Sequence, residues 1–175
     1  MVLWFIGMSG SGKTTISKQV YSELKKEVPN LVRLDGDVIR DVFGHDVDHT
    51  VEGRRRNAER ISMLCRMLHR QDIHVVAAVL SIFPEWQQWN REQMPGYSEV
   101  YLKTSMETLR RRDTKGLYRK ADSGEISNVV GVDIPFPEPP GADLVIENDE
   151  DRENIDELVR QVLQLEAVRD MLERV

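Results

Sequence analysis

Short apolar runs alternate with longer amphipathic stretches along almost the whole chain. The apolar runs, which predict strands, are residues 2–6, 31–34, 73–80, 97–103 and 142–146. The stretches between them predict helices at 15–27, 51–70 and 106–112, and a last helix whose apolar face runs from 155 to 165. The third run is apolar on both faces, as expected of a central parallel strand. Repeated β-α units of this length predict an α/β fold of three layers, with a five-stranded parallel sheet between helices.

The alternation stops between residues 113 and 140, where glycine, proline, lysine and aspartate are frequent. A segment of this length without periodicity is unusual inside a compact domain, and active-site lids are a common reason for one. We therefore predict a single domain over residues 1–175, with a lid loop at about 113–140.

The composition excludes several classes of protein. Lys and Arg number 24 against 30 Asp and Glu, so the formal net charge is −6, and the pI is near 5.3. A groove that binds nucleic acid through bulk positive charge is therefore not expected. No apolar run approaches the ~20 residues of a membrane helix, the first residues lack the features of a signal peptide, and a single cysteine excludes a disulfide framework. We expect a cytoplasmic protein without nucleic-acid or membrane partners.

Residues 7–14 read Gly-Met-Ser-Gly-Ser-Gly-Lys-Thr and fit the phosphate-loop pattern G-x-x-x-x-G-K-[ST]. They follow a predicted strand and precede a predicted helix, which is the context that the pattern requires. The glycines let backbone N–H groups face phosphate oxygens, and the helix adds its positive N-terminal end. Lys13 is predicted to bridge the β- and γ-phosphates of a nucleoside triphosphate, and Thr14 to bind Mg²⁺. The residues predicted to hold the triphosphate are Gly7, Ser9, Gly10, Ser11, Gly12, Lys13, Thr14 and Thr15.

Two acids, Asp35 and Asp37, follow the second predicted strand with a glycine between them. If the backbone stays extended there, both carboxylates point the same way at the carboxyl edge of the sheet. One could then take the proton of a substrate hydroxyl, and the other could organise water around Mg²⁺, as phosphoryl transfer requires. The sequence has no Asn-Lys-x-Asp motif for guanine, and the third strand lacks the terminal acid of motor ATPases, so neither class is expected.

Further polar residues are predicted at the same edge of the sheet. Arg54 and Asn57 extend the apolar stripe of the second predicted helix, so we expect them near the ligand, whereas Arg55 is expected in solvent. A planar guanidinium in that position suits a phosphate or sulfate group. Ser81 ends the third strand, and Lys115 stands beside a glycine in the predicted lid. Each of these two also has an ordinary interpretation, as a strand cap and as part of a basic loop.

Two other features are expected to have no chemical role. Cys65 falls on the apolar stripe of its helix and is expected to be an inert core thiol. The His-Asp-Val-Asp-His segment at 45–49 mixes imidazole with carboxylate ligands, without a further anchoring motif, and is expected to be a solvated loop.

The motifs and their order resemble the adenylylsulfate kinase family over nearly the whole chain. The resemblance rests on residues 7–15, Asp-Gly-Asp-Val-Ile-Arg at 35–40, Arg-Arg-Arg-Asn at 54–57, Leu-Ser at 80–81 and Lys-Gly-Leu-Tyr-Arg-Lys-Ala at 115–121, with further matches at 124–126 and 131–133. That family transfers the γ-phosphoryl group of ATP to the ribose 3′-hydroxyl of adenosine 5′-phosphosulfate on a P-loop kinase fold. The resemblance implies ATP and Mg²⁺ as cofactors and a small nucleotide as substrate.

The resemblance also implies roles for individual residues. Asp37 matches the general base, and Asp35 matches its partner, which we assign to the Mg²⁺ site with Thr14. Arg40, Arg54 and Asn57 match residues that bind the sugar and the sulfate-phosphate group. The catalytic residues implied in this way are Lys13, Asp35, Asp37, Ser81 and Lys115. The acceptor-binding residues are Asp37, Arg40, Arg54, Asn57, Ser81, Lys115 and Leu117.

The departures from the family pattern concern the substrate base. At residue 38 the chain has Val where the family has Asn. After Ser81 the family has Pro and Arg, and this chain has Ile82-Phe83-Pro84-Glu85. In the lid the family has Phe-Thr-Gly-Ile, whose ring covers the adenine, and this chain has Val129-Val130-Gly131-Val132. Stacking of a base on an aromatic ring is worth about 1–3 kcal/mol, so purine binding would weaken unless Phe43 or Phe136 substitutes. The sequence is also similar to the cytidine diphosphoramidate kinases, a related branch that serves capsule modification.

We therefore interpret the chain as a kinase of the ribose 3′-hydroxyl of a 5′-substituted nucleotide, with adenylyl sulfate as the first acceptor and a cytidine nucleotide as the second. Two hypotheses from other classes stay open. The chain could be a non-catalytic nucleotide-binding regulator, or a kinase of a small metabolite such as a sugar acid. The sequence leaves the oligomeric state open, with a homodimer as one option.

Overall fold

A computed structural model describes residues 1–113, 115–151 and 153–174. The strands in these residues are β1 (Val2–Ile6), β2 (Leu31–Asp35), β3 (His74–Val79), β4 (Tyr97–Lys103) and β5 (Leu144–Glu147). The helices are α1 (Lys13–Leu24), α2 (Gly36–Val42), α3 (Val51–His69), α4 (Pro84–Gln93), α5 (Met106–Arg111), α6 (Leu117–Asp122), α7 (Asp156–Leu163) and α8 (Glu166–Leu172). One sheet has the strand order β2-β3-β1-β4-β5, with every neighbouring pair parallel. The predicted α/β fold with a five-stranded parallel sheet is confirmed.

The two faces of β1 show why the sheet needs helices on both sides. Leu3 and Phe5 are fully buried on one face, in a core shared with residues of α1, α7 and α8. Trp4 and Ile6 are buried on the other face, in a core shared with residues of α3. Successive side chains of a strand point to opposite faces, so a run that is apolar throughout is satisfied only between two layers.

The packing of α3 decides the properties of the single cysteine. Cys65 has no exposed surface and belongs to the core between α3 and the sheet. Burial raises the pKa of its thiol to about 12. A thiol that stays protonated and inaccessible is neither a nucleophile nor a metal ligand, and the expectation of an inert core thiol is confirmed.

The end of the chain differs from the single helix that the apolar face predicted. The helix stops at Leu163, the chain extends at Leu165, and α8 begins at the next residue. This break lets Val162 of α7 and Val168 of α8, both without exposed surface, enter the same core. No helix in the described part of the chain has the length and hydropathy needed to cross a membrane.

The segment predicted as a lid loop is partly folded. It contains α6 and an isolated bridge between Val130 and Ile134, whereas Thr114 lies outside the described residues. The Asp113 carboxylate accepts a hydrogen bond of 2.7 Å from the backbone N–H of Leu117, the first residue of α6. Side-chain acceptors of this kind satisfy the free N–H groups at the start of a helix, which explains an ordered turn in a segment without periodicity.

We expect Val162→Ala to lower the free energy of unfolding by about 2 kcal/mol, because it removes two methylene-sized groups from a fully buried site and leaves a cavity. Val145→Ala makes the same chemical change at a position of β5 that is 48% exposed and should cost less than about 0.5 kcal/mol. Urea unfolding of both variants measures the difference. Equal losses would show that α7 is not part of the cooperative core.

Candidate active site

The glycine-rich segment between β1 and α1 forms a tight loop at the carboxyl edge of the sheet. A Cβ atom on Gly7 would lie 2.9 Å from the carbonyl oxygen of Leu102, and one on Gly12 would lie 2.9 Å from the side-chain nitrogen of Asn148. Gly12 also has a left-handed φ of 93°. Both positions therefore require glycine, one for close approach of the backbone and one for its conformation as well.

Side chains from distant parts of the chain hold this loop by its carbonyl groups. Asn148 Nδ2 donates to the Ser11 carbonyl at 2.9 Å, and the Tyr118 hydroxyl donates to the Ser9 carbonyl at 2.7 Å. Arg112 in turn donates to the Asn148 carbonyl at 2.7 Å. None of these three was predicted as a site residue from the sequence, although Tyr118 lies in the motif at 115–121. A signal for Asn148 was present, since it is a polar residue directly after a strand at the edge that carries the loop.

Lys13 is the first residue of α1, and its side chain folds back over the loop. Its Nζ donates to the Met8 carbonyl at 2.7 Å. Burial lowers the pKa of Lys13 to about 8, although Asp37 and Asp35 act in the opposite direction. Gly12, the N-cap residue, offers no side-chain acceptor to the first N–H groups of α1. An ammonium and a free helix N-terminus thus face the same space, an arrangement that favours a bound anion.

Asp35 joins the phosphate loop to α2. The Thr14 hydroxyl donates to Asp35 Oδ2 at 3.0 Å, while the backbone N–H of Asp37 donates to Asp35 Oδ1 at 3.1 Å. Asp35 is the N-cap of α2, and Asp37 lies in the first turn of that helix. The expectation of an extended backbone through residues 35–37 is wrong, because this capping bond starts a helix directly after the strand. The two carboxylates still lie at the same edge.

Lys115 brings the lid segment to the second acid. Its Nζ lies 3.3 Å from Asp37 Oδ2, and both side chains are largely exposed. An exposed ion pair of this kind contributes little stability, so it opens readily. The contact therefore places a mobile cation within reach of the carboxylate without fixing it there.

Arg40 and Arg54 form a partly buried pair of cations beside Asp37. Arg40, which is 7% exposed, donates to the carbonyl groups of Val47 and Asp48 at 3.0 and 2.8 Å. Burial lowers the pKa of Arg40. Burial first, and then the neighbouring Arg40, lower the pKa of Arg54. Two guanidinium groups whose charge is disfavoured by burial, and for Arg54 also by Arg40, form a site that an anion would stabilise.

Arg54 also connects α3 to the lid segment. Its Nε donates to the His49 carbonyl at 2.8 Å, and a terminal nitrogen donates to the Asn128 carbonyl at 2.8 Å. Asn57, one turn further along α3, is 6% exposed, and its Oδ1 has no partner among the described residues. Arg55 instead pairs with Glu85 at the surface. The predicted division of the helix into inward Arg54 and Asn57 and outward Arg55 is confirmed.

Ser81 follows the end of β3, the strand next to β1 and β2. Its Oγ accepts hydrogen bonds from Trp4 Nε1 at 3.0 Å and from Gln87 Nε2 at 3.2 Å. Leu117, at the start of α6, packs with Leu109 and Tyr118 and is half-buried.

All the predicted site residues lie on the loop after β1, at the ends of β2 and β3, in α2, in the first two turns of α1 and α3, or in the lid segment. Parallel strands bring their carboxyl ends to one edge of a sheet, which is where ligands of open α/β sheets bind. The predicted residues found in this region are Gly7, Ser9, Gly10, Ser11, Gly12, Lys13, Thr14, Thr15, Asp35, Asp37, Arg40, Arg54, Asn57, Ser81, Lys115 and Leu117.

A phosphate loop between β1 and α1, with one acid at the end of β2, another in the first turn of α2, and a folded lid segment, defines a P-loop phosphotransferase. More specifically, the chain belongs to the adenylylsulphate kinase family, whose sequence model matches residues 1–147. It is therefore a kinase of a family that uses ATP and acts on small nucleotides.

Curated relatives cover almost the whole chain. A cytidine diphosphoramidate kinase of Campylobacter jejuni is 41% identical over 162 residues, which are 93% of this chain and 94% of that protein. An adenylyl-sulfate kinase of Halothermothrix orenii is 35% identical over 164 residues, which are 94% of this chain and 88% of that protein.

A solved structure gives the same family. The APS kinase of Mycobacterium tuberculosis, in complex with AMPPNP and APS, superposes with a TM-score of 0.82 at 30% identity and covers 98% of this chain and 96% of that one. A gluconokinase of Sinorhizobium meliloti superposes with a TM-score of 0.64 at 17% identity, over 99% of this chain and 94% of that one, and shows the fold alone.

The lowered pKa of Lys13 predicts a pH-dependent stability in the absence of nucleotide. The unfolded chain has the ordinary lysine pKa of 10.5, so from about pH 8 to 10.5 it binds more protons than the folded protein does. As the pH rises through this window, the free energy of unfolding of the wild type should therefore increase relative to that of Lys13→Met. At pH 7 the variant should be the more stable of the two.

Urea unfolding of both proteins at pH 7, 8, 9 and 10 measures this difference. Lys18→Met, at an exposed position of the same helix, controls for the loss of a positive charge. A difference between wild type and Lys13→Met that stays constant from pH 7 to 10 would contradict the buried state of the Lys13 ammonium.

Proposed function

We propose that the protein transfers the γ-phosphoryl group of ATP to the ribose 3′-hydroxyl of a nucleotide that carries a substituted 5′-phosphate. The observation that carries the proposal is the link from Thr14 through Asp35 to Asp37. It fixes a carboxylate at the start of α2 relative to the phosphate loop. In-line transfer needs a base for the attacking hydroxyl in a fixed position relative to the γ-phosphate, and positioning supplies much of the rate.

On the donor side, the loop residues Gly7 to Thr15 would surround the phosphates of ATP. The first N–H groups of α1 face that space without a side-chain cap, and Lys13 would exchange the Met8 carbonyl for phosphate oxygens. The ammonium form of Lys13 would be favoured by the phosphate charge, which offsets the cost of its burial.

The oxygen atoms of Thr14 and Asp35 fit a Mg²⁺ ion that accompanies the nucleotide. Mg²⁺ binds oxygen ligands at 2.0–2.1 Å in an octahedron, so neighbouring ligands lie about 3 Å apart. Thr14 Oγ1 and Asp35 Oδ2 are 3.0 Å apart. These two residues would hold the ion directly or through water, and the ion would supply charge neutralisation at the transferring phosphate.

On the acceptor side, Asp37 would take the proton from the 3′-hydroxyl. Lys115 lies 3.3 Å from this carboxylate in an exposed ion pair, which must open before Asp37 can accept a proton efficiently. Once released, the Lys115 ammonium would be available to stabilise negative charge on the transferring group. Asp37 and Lys115 would thus act as base and electrostatic partner in turn.

The cation pair Arg40 and Arg54 would bind the charged 5′-group of the acceptor. Their lowered pKa values arise from burial and, for Arg54, from Arg40, and a doubly charged phosphate substituent relieves both effects. The unpartnered Oδ1 of Asn57 would accept a hydrogen bond from the same nucleotide. Leu117 would support the lid side of this pocket.

Two acceptors agree with this arrangement. Adenylyl sulfate is the acceptor implied by the family and by the several adenylyl-sulfate kinases among the relatives. Cytidine diphosphoramidate is the second candidate, favoured by the 41% identity with the kinase of that name. The lid supplies a further observation in its favour. Val129, at the position where the resemblance expects a ring over the adenine, is 2% exposed and packs against Leu109 and Tyr118, so it offers nothing to a purine.

A substrate panel tests the reaction and separates the acceptors. We expect Mg-ATP to phosphorylate adenylyl sulfate or cytidine diphosphoramidate, with phosphorus NMR placing the new phosphate on the 3′-oxygen. A preference of tenfold or more, equivalent to about 1.4 kcal/mol, identifies the natural base. Gluconate and shikimate should not be phosphorylated. Turnover of a sugar acid alone, or binding of ATP without turnover of any acceptor, would refute the proposal.

Asp37→Asn should lower kcat by about 10²- to 10⁴-fold, because it removes the proton acceptor but keeps the size of the side chain. Asp41→Asn changes an exposed acid of the same short helix and should retain nearly full kcat. Steady-state release of ADP with saturating acceptor measures both. Near-wild-type turnover in Asp37→Asn would exclude Asp37 as the base.

A further inference from the structure

We infer that Trp4 and Gln87 are positioning residues that turn the Ser81 hydroxyl into an obligate hydrogen-bond donor toward the acceptor nucleotide, an inference that rests on the proposed function. Trp4 is 2% exposed on β1, and Gln87 is 5% exposed on α4. Both side chains donate to the Ser81 hydroxyl oxygen, one from the sheet and one from a helix.

The backbone of Ser81 is held in an unusual conformation. Its φ is 55°, in the left-handed region, which is unfavourable for a residue other than glycine and persists only where the surroundings enforce it. The enforcing contact is Gln87, whose Nε2 donates to the Ser81 carbonyl at 3.0 Å. The serine therefore does not follow the direction of β3 but turns at the carboxyl edge of the sheet.

The contact with the carbonyl also fixes the orientation of the Gln87 amide. A backbone carbonyl accepts hydrogen bonds and never donates them, so the atom beside it must be the NH₂ group and not the amide oxygen. The same Nε2 lies 3.2 Å from Ser81 Oγ. Its two hydrogens can serve the carbonyl and the hydroxyl oxygen together.

The direction of the Ser81 proton follows from the count of donors. A hydroxyl oxygen has two lone pairs and one hydrogen. The indole N–H of Trp4, which can only donate, occupies one lone pair at 3.0 Å, and the Gln87 amide occupies the other. Ser81 must therefore donate its own hydrogen elsewhere, and among the described residues no side chain or backbone group accepts it.

The position of Ser81 in the sheet shows where that hydrogen is available. Val79, the last residue of β3, is in register with Ile6, directly before the phosphate loop. Ala78 is in register with Asp35, directly before α2. Ser81 thus lies just beyond the edge, between the loop that would hold ATP and the helix that carries Asp37. An oxygen atom of the acceptor is the partner that this crevice would supply.

This arrangement excludes a second role for the serine. A serine that attacks phosphorus needs a free lone pair and a neighbouring base for its proton. Here both lone pairs accept N–H groups, and the neighbouring side chains Trp4 and Gln87 present donors only. Ser81 would therefore bind the acceptor and would not carry the phosphoryl group.

A double-mutant cycle tests the positioning role. We expect Ser81→Ala to lower kcat/KM for the acceptor by about 10- to 100-fold while KM for ATP stays within about twofold. Gln87→Met and Trp4→Phe, which remove the N–H donors and keep most of the packing, should each lower the same quantity by about 3- to 10-fold. In the Ser81→Ala background each should have an effect of less than about twofold, because the hydroxyl that they orient is absent.

Matched variants and a second readout keep the result interpretable. Gln88→Met makes the same change at the next residue of α4, whose side chain donates to the exposed Glu92. It should leave kcat/KM unchanged. In ¹⁵N-labelled protein the three tryptophans give three indole signals, and Ser81→Ala should shift that of Trp4 more than those of Trp86 and Trp89. The Trp4→Phe variant assigns the signal, and this measurement does not depend on turnover.

Three outcomes would be adverse, and they differ. Equal effects of Gln87→Met in the wild-type and Ser81→Ala backgrounds would show that Gln87 acts through the fold alone and would overturn the inference. An unshifted Trp4 indole signal in Ser81→Ala would also overturn the inference, because it would show that Trp4 does not donate to the Ser81 hydroxyl. Absence of wild-type turnover with either acceptor would instead refute the proposed function on which the inference rests.

Discussion

The phosphate loop has to leave backbone N–H groups available for phosphate oxygens, so its shape depends on contacts to its carbonyl groups. Ser11 is held by Asn148 after β5, Ser9 by Tyr118 of α6, and the Met8 carbonyl by the lysine at the start of α1. Asn148 and Tyr118 reach the loop only when the sheet is complete and the base of the lid is packed. The loop is therefore a product of the whole fold, although its sequence pattern is local.

The charges around the loop show a related constraint. Lys13, Arg40 and Arg54 all have pKa values lowered chiefly by burial, so the fold keeps three cations where their charge is unfavourable. Without an anion they donate to backbone carbonyls of neighbouring loops. Such a cluster costs stability, and a bound phosphate group would offset that cost because it favours the charged form of each side chain.

The strands and the phosphate loop could be predicted from the sequence because each depends on a pattern that is close in the chain. The central strands β1 and β3 are apolar on both faces, and only a buried parallel sheet satisfies them. Helix α2 could not be predicted in this way. Its residues 36–42 include Gly36 and three β-branched residues, which are poor helix formers, and the capping bond of Asp35 together with burial of Ile39 decides its structure.

Contacts between residues that are distant in the chain are the part of the site that local sequence patterns could not predict. Asn148 and Ser11 are 137 residues apart, and Tyr118 and Ser9 are 109 apart. No periodicity encodes such pairs, because they exist only after the strands have been ordered in the sheet. The stripe that placed Arg54 and Asn57 inward succeeded for the opposite reason, since a helix fixes the relative direction of its own residues.

The residues proposed for phosphoryl transfer and those proposed to contact the base of the acceptor lie on different kinds of element. Asp35, Asp37 and Ser81 stand at or just beyond the ends of strands, where the backbone of the sheet fixes them to the phosphate loop. The base of an acceptor would instead be contacted by loop and lid side chains, and Val129 packs inward there without disturbing any strand. Because one group lies at strand ends and the other on loops and the lid, recognition of a different acceptor base would require changes in the lid and loops alone. A family can therefore keep one reaction and vary its nucleotide.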